Sequence, residues 1–435
     1  MSQSYDIVIT GGGMAGATAA ISFAQLGLSV ALIEAVEPEQ ELSTSYDQRA
    51  VALSASSVAI YRSLGLWSEL ESVACPIKNI HVSDQGRFGF TRLAASDYLI
   101  DSLGEVILLE QAGPILWAAL KQYPLIDIYC PAKLEKFESE KNYCRLTISQ
   151  STQTKDSDTE NNQQLSTIDA SLMIAADGTY SRIAETLNLP INREPYHQHA
   201  VIANISTDKK HDNHAFERFT NEGPLALLPL TANRMSLVWC HKPENADEVM
   251  AWDDGHFIEA LQQAFGYRLG RITKVGKRYQ YPLSLHHAQQ HFSDRVLLFG
   301  NAAHTLHPIA GQGLNLSLRD IAALTDCLSN ACLSNSRLSE HAESSRDFGN
   351  GEFLADYIQS RQADWQQTII ATDSLARLFS NDFLPLALVR NKAMNLINRL
   401  PFVKEQLANA AMGYSGFSSR LTRGLANQPI FKASK

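Results

Sequence analysis

The chain opens on a short β-branched apolar run, Tyr5–Thr10, which reads as a buried strand. A glycine-rich stretch, Gly11–Gly16, interrupts it, and Ala15–Leu26 follows with the small residues of a closely packed helix. Gly27 stands where a helix ends on a glycine, and Ser29–Glu34 is the next strand candidate. Strand, helix and strand in this order predict a parallel sheet with helices on its faces. Between Glu194 and Tyr281 the apolar runs are short and recurrent (AVIANI, PLALLPL, RMSLVWC), the pattern of antiparallel strands in a second unit. Ser149–Thr167 is polar and predicts an exposed hairpin tip, and the similar Ser334–Glu352 predicts a surface insertion. Beyond Phe353 the pattern is helical to about Met412, and no internal repeat is visible.

Composition narrows the class. The 435 residues suffice for two or three domains with a large buried core. A net charge of −9 argues against a nucleic-acid binder. Six Cys without a C-x-x-C pair make neither a disulfide framework nor a zinc ribbon, which fits a reducing cytoplasm. Residues 7–33 carry no charge, yet no basic segment precedes them and five glycines divide them. Neither a signal peptide nor a membrane span is expected there.

The candidate chemistry starts at Gly11-Gly12-Gly13-Met14-Ala15-Gly16, a G-x-G-x-x-G set between strand and helix. Gly11 makes the tight turn, Gly13 lets a pyrophosphate approach the backbone, and Gly16 brings helix and strand together. The helix start at Met14 and Ala15 offers unpaired N–H groups to phosphate. Glu34, 23 residues after Gly11, stands where a carboxylate accepts from ribose hydroxyls. This context predicts a dinucleotide, FAD or NAD. A second stretch, Arg295–Asp320, runs from the strand Val296–Phe299 into Gly300-Asn301-Ala302-Ala303-His304. Pro308, Gly311, Gln312, Gly313, Leu314 and Asn315 then open another helix. One pyrophosphate does not need two such amide clusters. A flavin does, because reduction places negative charge on its N1–C2=O edge.

Gly11–Gly16 with Glu34, Asp177-Gly178-Thr179-Tyr180-Ser181, and GNAAH…P…GQGLN together resemble the three fingerprints of class A FAD-dependent aromatic hydroxylases, over nearly the whole chain. Arg49 in DQRAVALSASS matches that family's flavin-contacting arginine, Gln111 its ribityl-contacting polar position, and Asn301 replaces its usual aspartate. Ala184 stands where the family commonly carries an arginine, while Arg182 directly follows Ser181. GNAA, ADGTYSRIA, EPYHQHAVIANI, AFERFT and GPLALLP resemble the ubiquinone-biosynthesis branch, and within it the hydroxylases of 2-octaprenyl-6-methoxyphenol.

The resemblance implies an α/β (α+β overall) fold. A discontinuous Rossmann-like FAD-binding domain would span 1–75, 102–185 and 286–345. A mostly antiparallel β-sheet substrate domain would span 76–101 and 186–285, with a helical C-terminal region at 346–435. It implies hydroxylation of a 2-polyprenyl-6-methoxyphenol para to its hydroxyl, by way of a flavin C4a-hydroperoxide, with NAD(P)H and O2 as cosubstrates. GQGLNL lacks the final glycine of a second fingerprint, so transient NAD(P)H binding is implied. Implied partners are the lipid-tailed phenol, other ubiquinone-biosynthesis proteins and the inner face of the membrane, with a cytoplasmic location. Alternatives are a hydroxylase of another ring position, a flavin reductase of isoprenoid lipids, and a flavoprotein acting mainly as an assembly component.

No catalytic base stands out. His304 and His307 read as residues that position backbone, and HHAQQH (His286, His287, His291) as a solvated turn rather than a metal site. Cys327 and Cys332 read as small core residues. Trp239, Phe216, Phe219 and Tyr281 read as sheet packing first and pocket lining second. Residues 376–423 carry seven basic side chains against two acidic ones (Arg377, Arg390, Lys392, Arg399, Lys404, Arg420, Arg423; Asp382, Glu405). With the apolar runs Leu384–Val389 and Met394–Leu400, that surface suits a helical cap or contact with anionic lipid.

Overall fold

The computed structural model describes residues 3–36, 49–151, 163–336, 347–379, 394, 396–414 and 418–428. Among them the strands form sheets of eight, nine and three. In the eight-stranded sheet Val296–Leu298, Gln3–Thr10, Val30–Ile33 and Ile126–Tyr129 run parallel to Gln163–Ala175 in the order 296–298, 163–175, 3–10, 30–33, 126–129. Parallel strands buried on both faces are apolar throughout, and all four residues of Val30–Ile33 are buried. Side chains alternate between two cores: Ile7, Ile9, Leu172 and Ile174 face the helix Met14–Gln25, while Val8, Ala31 and Met173 pack on the other side. Gly27 has φ 89°, the left-handed conformation that ends that helix.

Gln163–Ala175 also pairs antiparallel with Cys144–Ser151, from Cys144↔Ala170 to Ser151↔Gln163. The hairpin expected at 149–167 is therefore present in its strands, while residues 152–162 at its tip lie outside the described residues.

The nine-stranded sheet is mostly antiparallel, with a central run of Tyr279–Ala288, Ile191–Thr207, Arg234–His241, Pro224–Leu230 and His214–Phe219. One pairing departs from the expected pattern: His214–Phe219 lies parallel to Asn79–Asp84, which with Phe90–Ala94 closes the edge. The chain passes from one sheet to the other at the glycine motif. Val296–Leu298 belongs to the first, and His304–Thr305 pairs with Tyr279–Ala288 in the second.

Two sequence expectations are corrected. HHAQQH is not a solvated turn: His286 and His287 lie in the strand Tyr279–Ala288, His286 is buried, and His291 stacks on Trp365 at 4.1 Å. Among the described residues no group of His, Cys, Asp or Glu is placed to hold a metal ion. The end of Ser334–Glu352 is not a surface insertion. Asp347 pairs with the buried guanidinium of Arg295 (Nη2–Oδ2 3.1 Å), and Phe348 is buried in the main core. Residues 337–346 of that stretch lie outside the described residues.

The helices Gly351–Phe379 and Pro401–Ala411 occupy the C-terminal region. Of its basic residues, Arg377 is paired with Asp373 and Glu194, and Lys404 with Asp97. Arg390, Lys392 and the run Leu384–Val389 lie outside the described residues. No helix among the described residues is long and apolar enough to cross a membrane.

Candidate functional site

The carboxyl ends of the parallel strands converge, which is where open α/β sheets bind ligands. Thr10 leads into Gly11, Ile33 into Glu34, Ala175 into Asp177 and Leu298 into Gly300. Gly11 has φ +104°, and a Cβ there would sit 2.3 Å from Ala176 O. A Cβ on Gly16 would fall 1.9 Å from Gly11 O, so this glycine is what lets the helix close on the strand. Gly13 is different: a Cβ on it would meet nothing within 4 Å. The helix start behind it has no side-chain cap, which leaves the first-turn amides of Met14, Ala15 and Gly16 without a side-chain partner. Glu34 is fixed beside them, its Oε2 accepting from Gly12 N at 2.5 Å and its Oε1 from Val36 N at 3.1 Å. Trp117 Nε1 donates to Gly12 O at 2.9 Å and props the loop from the other side.

The helix Gln312–Ser336 supplies the second amide cluster. A Cβ on Gly313 would again meet nothing within 4 Å. Gly311, at φ +61°, packs against Ala52, 3.2 Å from where its Cβ would be. The side chain of Asn315 is used up inside the protein: Nδ2 donates to Ala52 O and Gly311 O (2.8 and 2.7 Å), and Oδ1 accepts from Ser54 N and Ser57 Oγ (2.8 and 2.7 Å). It clamps the turn to the strand Ala50–Ser54, so its side chain is not left for a ligand. Gly300 links the two clusters, since a Cβ on it would lie 3.5 Å from Ala15 Cβ. The middle motif joins through Thr305 Oγ1, which donates to Thr179 Oγ1 at 2.9 Å.

The remaining predicted residues surround this junction. Arg49 is exposed, with its guanidinium 5.5 Å from the centre of the Tyr281 ring. Gln111 is half-buried in the first turn of Leu109–Leu120. Asp177, Asn301 and Pro308 are exposed, and Gly178 has φ +92° with room for a ligand at its Cβ position. Ala184 is fully buried while Arg182 is exposed. Of the aromatics, Trp239, Phe216 and Phe219 are buried in packing clusters and Tyr281 alone is exposed beside Arg49.

Behind the site lies a buried ionic network. Asp320 Oδ1 accepts from Arg361 Nε at 2.7 Å and from Trp365 Nε1 at 2.8 Å, and its Oδ2 lies 3.0 Å from His304 Nε2. Asp364 accepts from Arg319 Nε at 2.9 Å and pairs with Arg361. Burial pushes the Asp320 carboxyl up, but Arg361 and His304 outweigh it and hold it at about 2. The network ties the long helix Gly351–Phe379 to the second glycine motif and the helix it opens. His307 is buried with both ring nitrogens engaged. Nδ1 accepts from Ile309 N at 3.1 Å, which assigns the proton to Nε2, 3.2 Å from Gln198 Oε1. Burial lowers its pKa to about 4, so it is neutral. It positions the Pro308 turn.

One residue that the sequence did not mark emerges. On His214–Phe219, Ala215, Glu217 and Phe219 share a face by strand alternation. Phe219 packs with Ile309, and Ala215 shares a cluster with Ala52, so Glu217 faces the Pro308–Gly311 turn between them. No hydrogen bond or ion pair to its carboxyl is found among the described residues, and burial raises it to about 7. Its pattern in AFERFT is that of any half-exposed strand residue. Only the tertiary placement distinguishes it.

The model of the FAD binding domain family matches residues 4–347. Ubiquinone hydroxylase UbiL of Rhodospirillum rubrum is 31% identical over 414 residues, covering 94% of this chain and 89% of that protein. The 3-demethoxyubiquinol 3-hydroxylase of Escherichia coli is 29% identical over 420 residues (94% and 99%). Among solved structures, p-nitrophenol 4-monooxygenase PnpA from Pseudomonas putida superposes with a TM-score of 0.75 at 16% identity, covering 96% of this chain and all of that one.

Proposed function

The chain belongs to the FAD-binding domain family, as a class A flavin-dependent aromatic monooxygenase of the ubiquinone branch, and on that premise we propose that it hydroxylates a 2-polyprenyl-6-methoxyphenol para to the hydroxyl. The observation that carries the reading is the pair of open helix starts at Gly13 and Gly313, joined through Gly300 and Ala15. The residues fit FAD. The amides of Met14, Ala15 and Gly16 would receive the pyrophosphate and Glu34 the ribose hydroxyls. The amides of Gly313, Leu314 and Asn315 would hold the pyrimidine edge. Arg49, Gln111, Asp177, Gly178, Gly300 and Asn301 would line the path between, with Pro308 on the side that faces the phenol. When bound, FAD accepts a hydride from NAD(P)H and delivers one oxygen atom of O2 to an electron-rich ring.

The protein's own contribution is placement and proton handling. Glu217 takes the phenol proton as the ring is attacked, which a carboxyl titrating near neutrality is suited to do. His307, through Ile309 N and Gln198, fixes the turn against which the ring rests. Phe219 and Ile309 keep water from that recess. The substrate's lipid tail brings the protein to the cytoplasmic face of a membrane.

A second reading is hydroxylation at another ring position, favoured by the relative named for 3-hydroxylation. Incubating the yellow holoenzyme with the phenol, NAD(P)H and isotopically labelled O2 tests both. One labelled oxygen para to the hydroxyl is expected. Label elsewhere on the ring favours the second reading, and no incorporation overturns both in favour of an assembly role.

A further inference from the structure

The edge of the nine-stranded sheet carries a feature that the oxygenase site does not use. His81, on Asn79–Asp84, is 4% exposed and lies between the rings of Phe90 and Phe216, at 5.8 and 6.2 Å. Arg92 Nε donates to its Nδ1 at 3.1 Å, and the guanidinium of Arg268 contacts its Nε2. Arg218, two residues along from Phe216 on the adjacent strand, has a buried Nε with no partner among the described residues. A neutral imidazole has one acceptor lone pair and a charged one has none. Two guanidiniums therefore compete for it while a third stands by. Burial and mutual repulsion lower the pKa of Arg268, and burial lowers that of Arg218. The nearby carboxylate, Asp84, is itself paired with Arg87 at 3.1 Å.

Large apolar side chains flank the same strand, Phe90–Ala94. Phe88, in the hairpin that precedes it, is 96% exposed. On the other side Asn398 accepts from Arg92 N at 3.2 Å and donates to Phe90 O at 2.7 Å, which fastens the C-terminal segment to the edge. The helix that follows presents Phe402, 69% exposed, and its Lys404 reaches Asp97 at 2.7 Å beside the fully exposed Leu99. Exposed apolar side chains along the same sheet edge as the arginines match an interface of phosphate headgroups over acyl chains.

We propose that this edge docks on an anionic phospholipid surface. Arg92, Arg218 and Arg268 take lipid phosphates, and Phe88, Leu99 and Phe402 enter the acyl boundary. Guanidiniums pair bidentately with phosphate oxygens, which supplies the negative charge the cluster lacks. The inference rests on the reading that the substrate has a lipid tail, and it names the partner that presents that substrate.

The test uses the full holoenzyme and flotation with vesicles of phosphatidylcholine, alone or with phosphatidylglycerol. Wild type should float with the mixed vesicles and much less with phosphatidylcholine alone. Arg92→Glu with Arg268→Glu should weaken binding to the mixed vesicles roughly tenfold or more, since each basic residue near the surface is worth about 1 kcal/mol. Phe88→Asp should weaken it independently, and Phe88→Ser serves as a second variant should the aspartate perturb folding. FAD content and turnover of a short-chain phenol should stay at wild-type levels. Unchanged flotation overturns the proposal, as does equal binding to both vesicle types. Normal flotation with no hydroxylation of any polyprenyl phenol leaves the docking face standing and sinks the functional reading instead.

Discussion

Two arginine clusters in this molecule are built on opposite charge balances. Arg319 and Arg361 are buried with Asp320 and Asp364, two cations against two anions, with direct contacts of 2.7 and 2.9 Å. Only the Nη1 nitrogens of those arginines lack partners among the described residues. Arg92, Arg218 and Arg268 gather around His81 with one carboxylate near them, Asp84, which is shared with Arg87. The first cluster is complete within the chain and ties helix Gly351–Phe379 to the second glycine motif. The second carries three cations beside one shared carboxylate, an excess of positive charge that an anion from outside would offset. Glu217, a half-buried carboxyl with no hydrogen bond or ion pair found among the described residues, is the same kind of deficit with the opposite sign. A balanced buried charge serves the fold, and an unbalanced one points to a ligand.

Breaking the balanced cluster should have the largest effect. Arg361→Leu strands Asp320 and Asp364 without half their positive charge and should cost about 3–5 kcal/mol, read as a large fall in Tm by calorimetry. Next is Glu217→Gln. In the wild type kcat/KM should rise with pH through about 7, because the proton acceptor works only when ionised. In the variant that limb should vanish, with roughly a hundredfold lower rate in chemistry. The same raised pKa makes wild-type stability fall between about 4.5 and 7, where the unfolded carboxyl has ionised and the folded one has not. The variant should lose this slope in urea unfolding across that range. Smallest is Arg268→Gln, which removes a repelling cation from an unbalanced cluster. Its Tm should be unchanged or slightly higher, and a loss comparable to Arg361→Leu would erase the contrast.

The site was legible where its determinants are local. Gly11, Gly13 and Gly16 announce their roles because a missing Cβ acts within its own turn, and Glu34 follows at the length of one helix and strand. The parallel start and the antiparallel middle came from periodicity, which strand burial dictates directly. What stayed hidden depends on partners distant in the chain. His291 reads as solvated until Trp365 stacks on it. Phe348 reads as part of a polar insertion until Arg295 anchors Asp347 beside it. Asn315 looked like a ligand residue and is spent on Ala52, Ser54 and Ser57. Glu217 and the His81 cluster are defined by neighbouring strands, which no spacing along one strand encodes.

The central claim is that the open positions at Gly13 and Gly313 receive two ends of one FAD. Titration of the apoprotein with FAD, followed by flavin fluorescence, tests it directly with wild type, Gly13→Val and Gly313→Val. A side chain forced into an occupied space costs about 1–3 kcal/mol, so each variant should bind roughly ten- to a hundredfold more weakly than a one-to-one wild type. Wild-type affinity in either variant, with the fold intact by circular dichroism, would contradict the account.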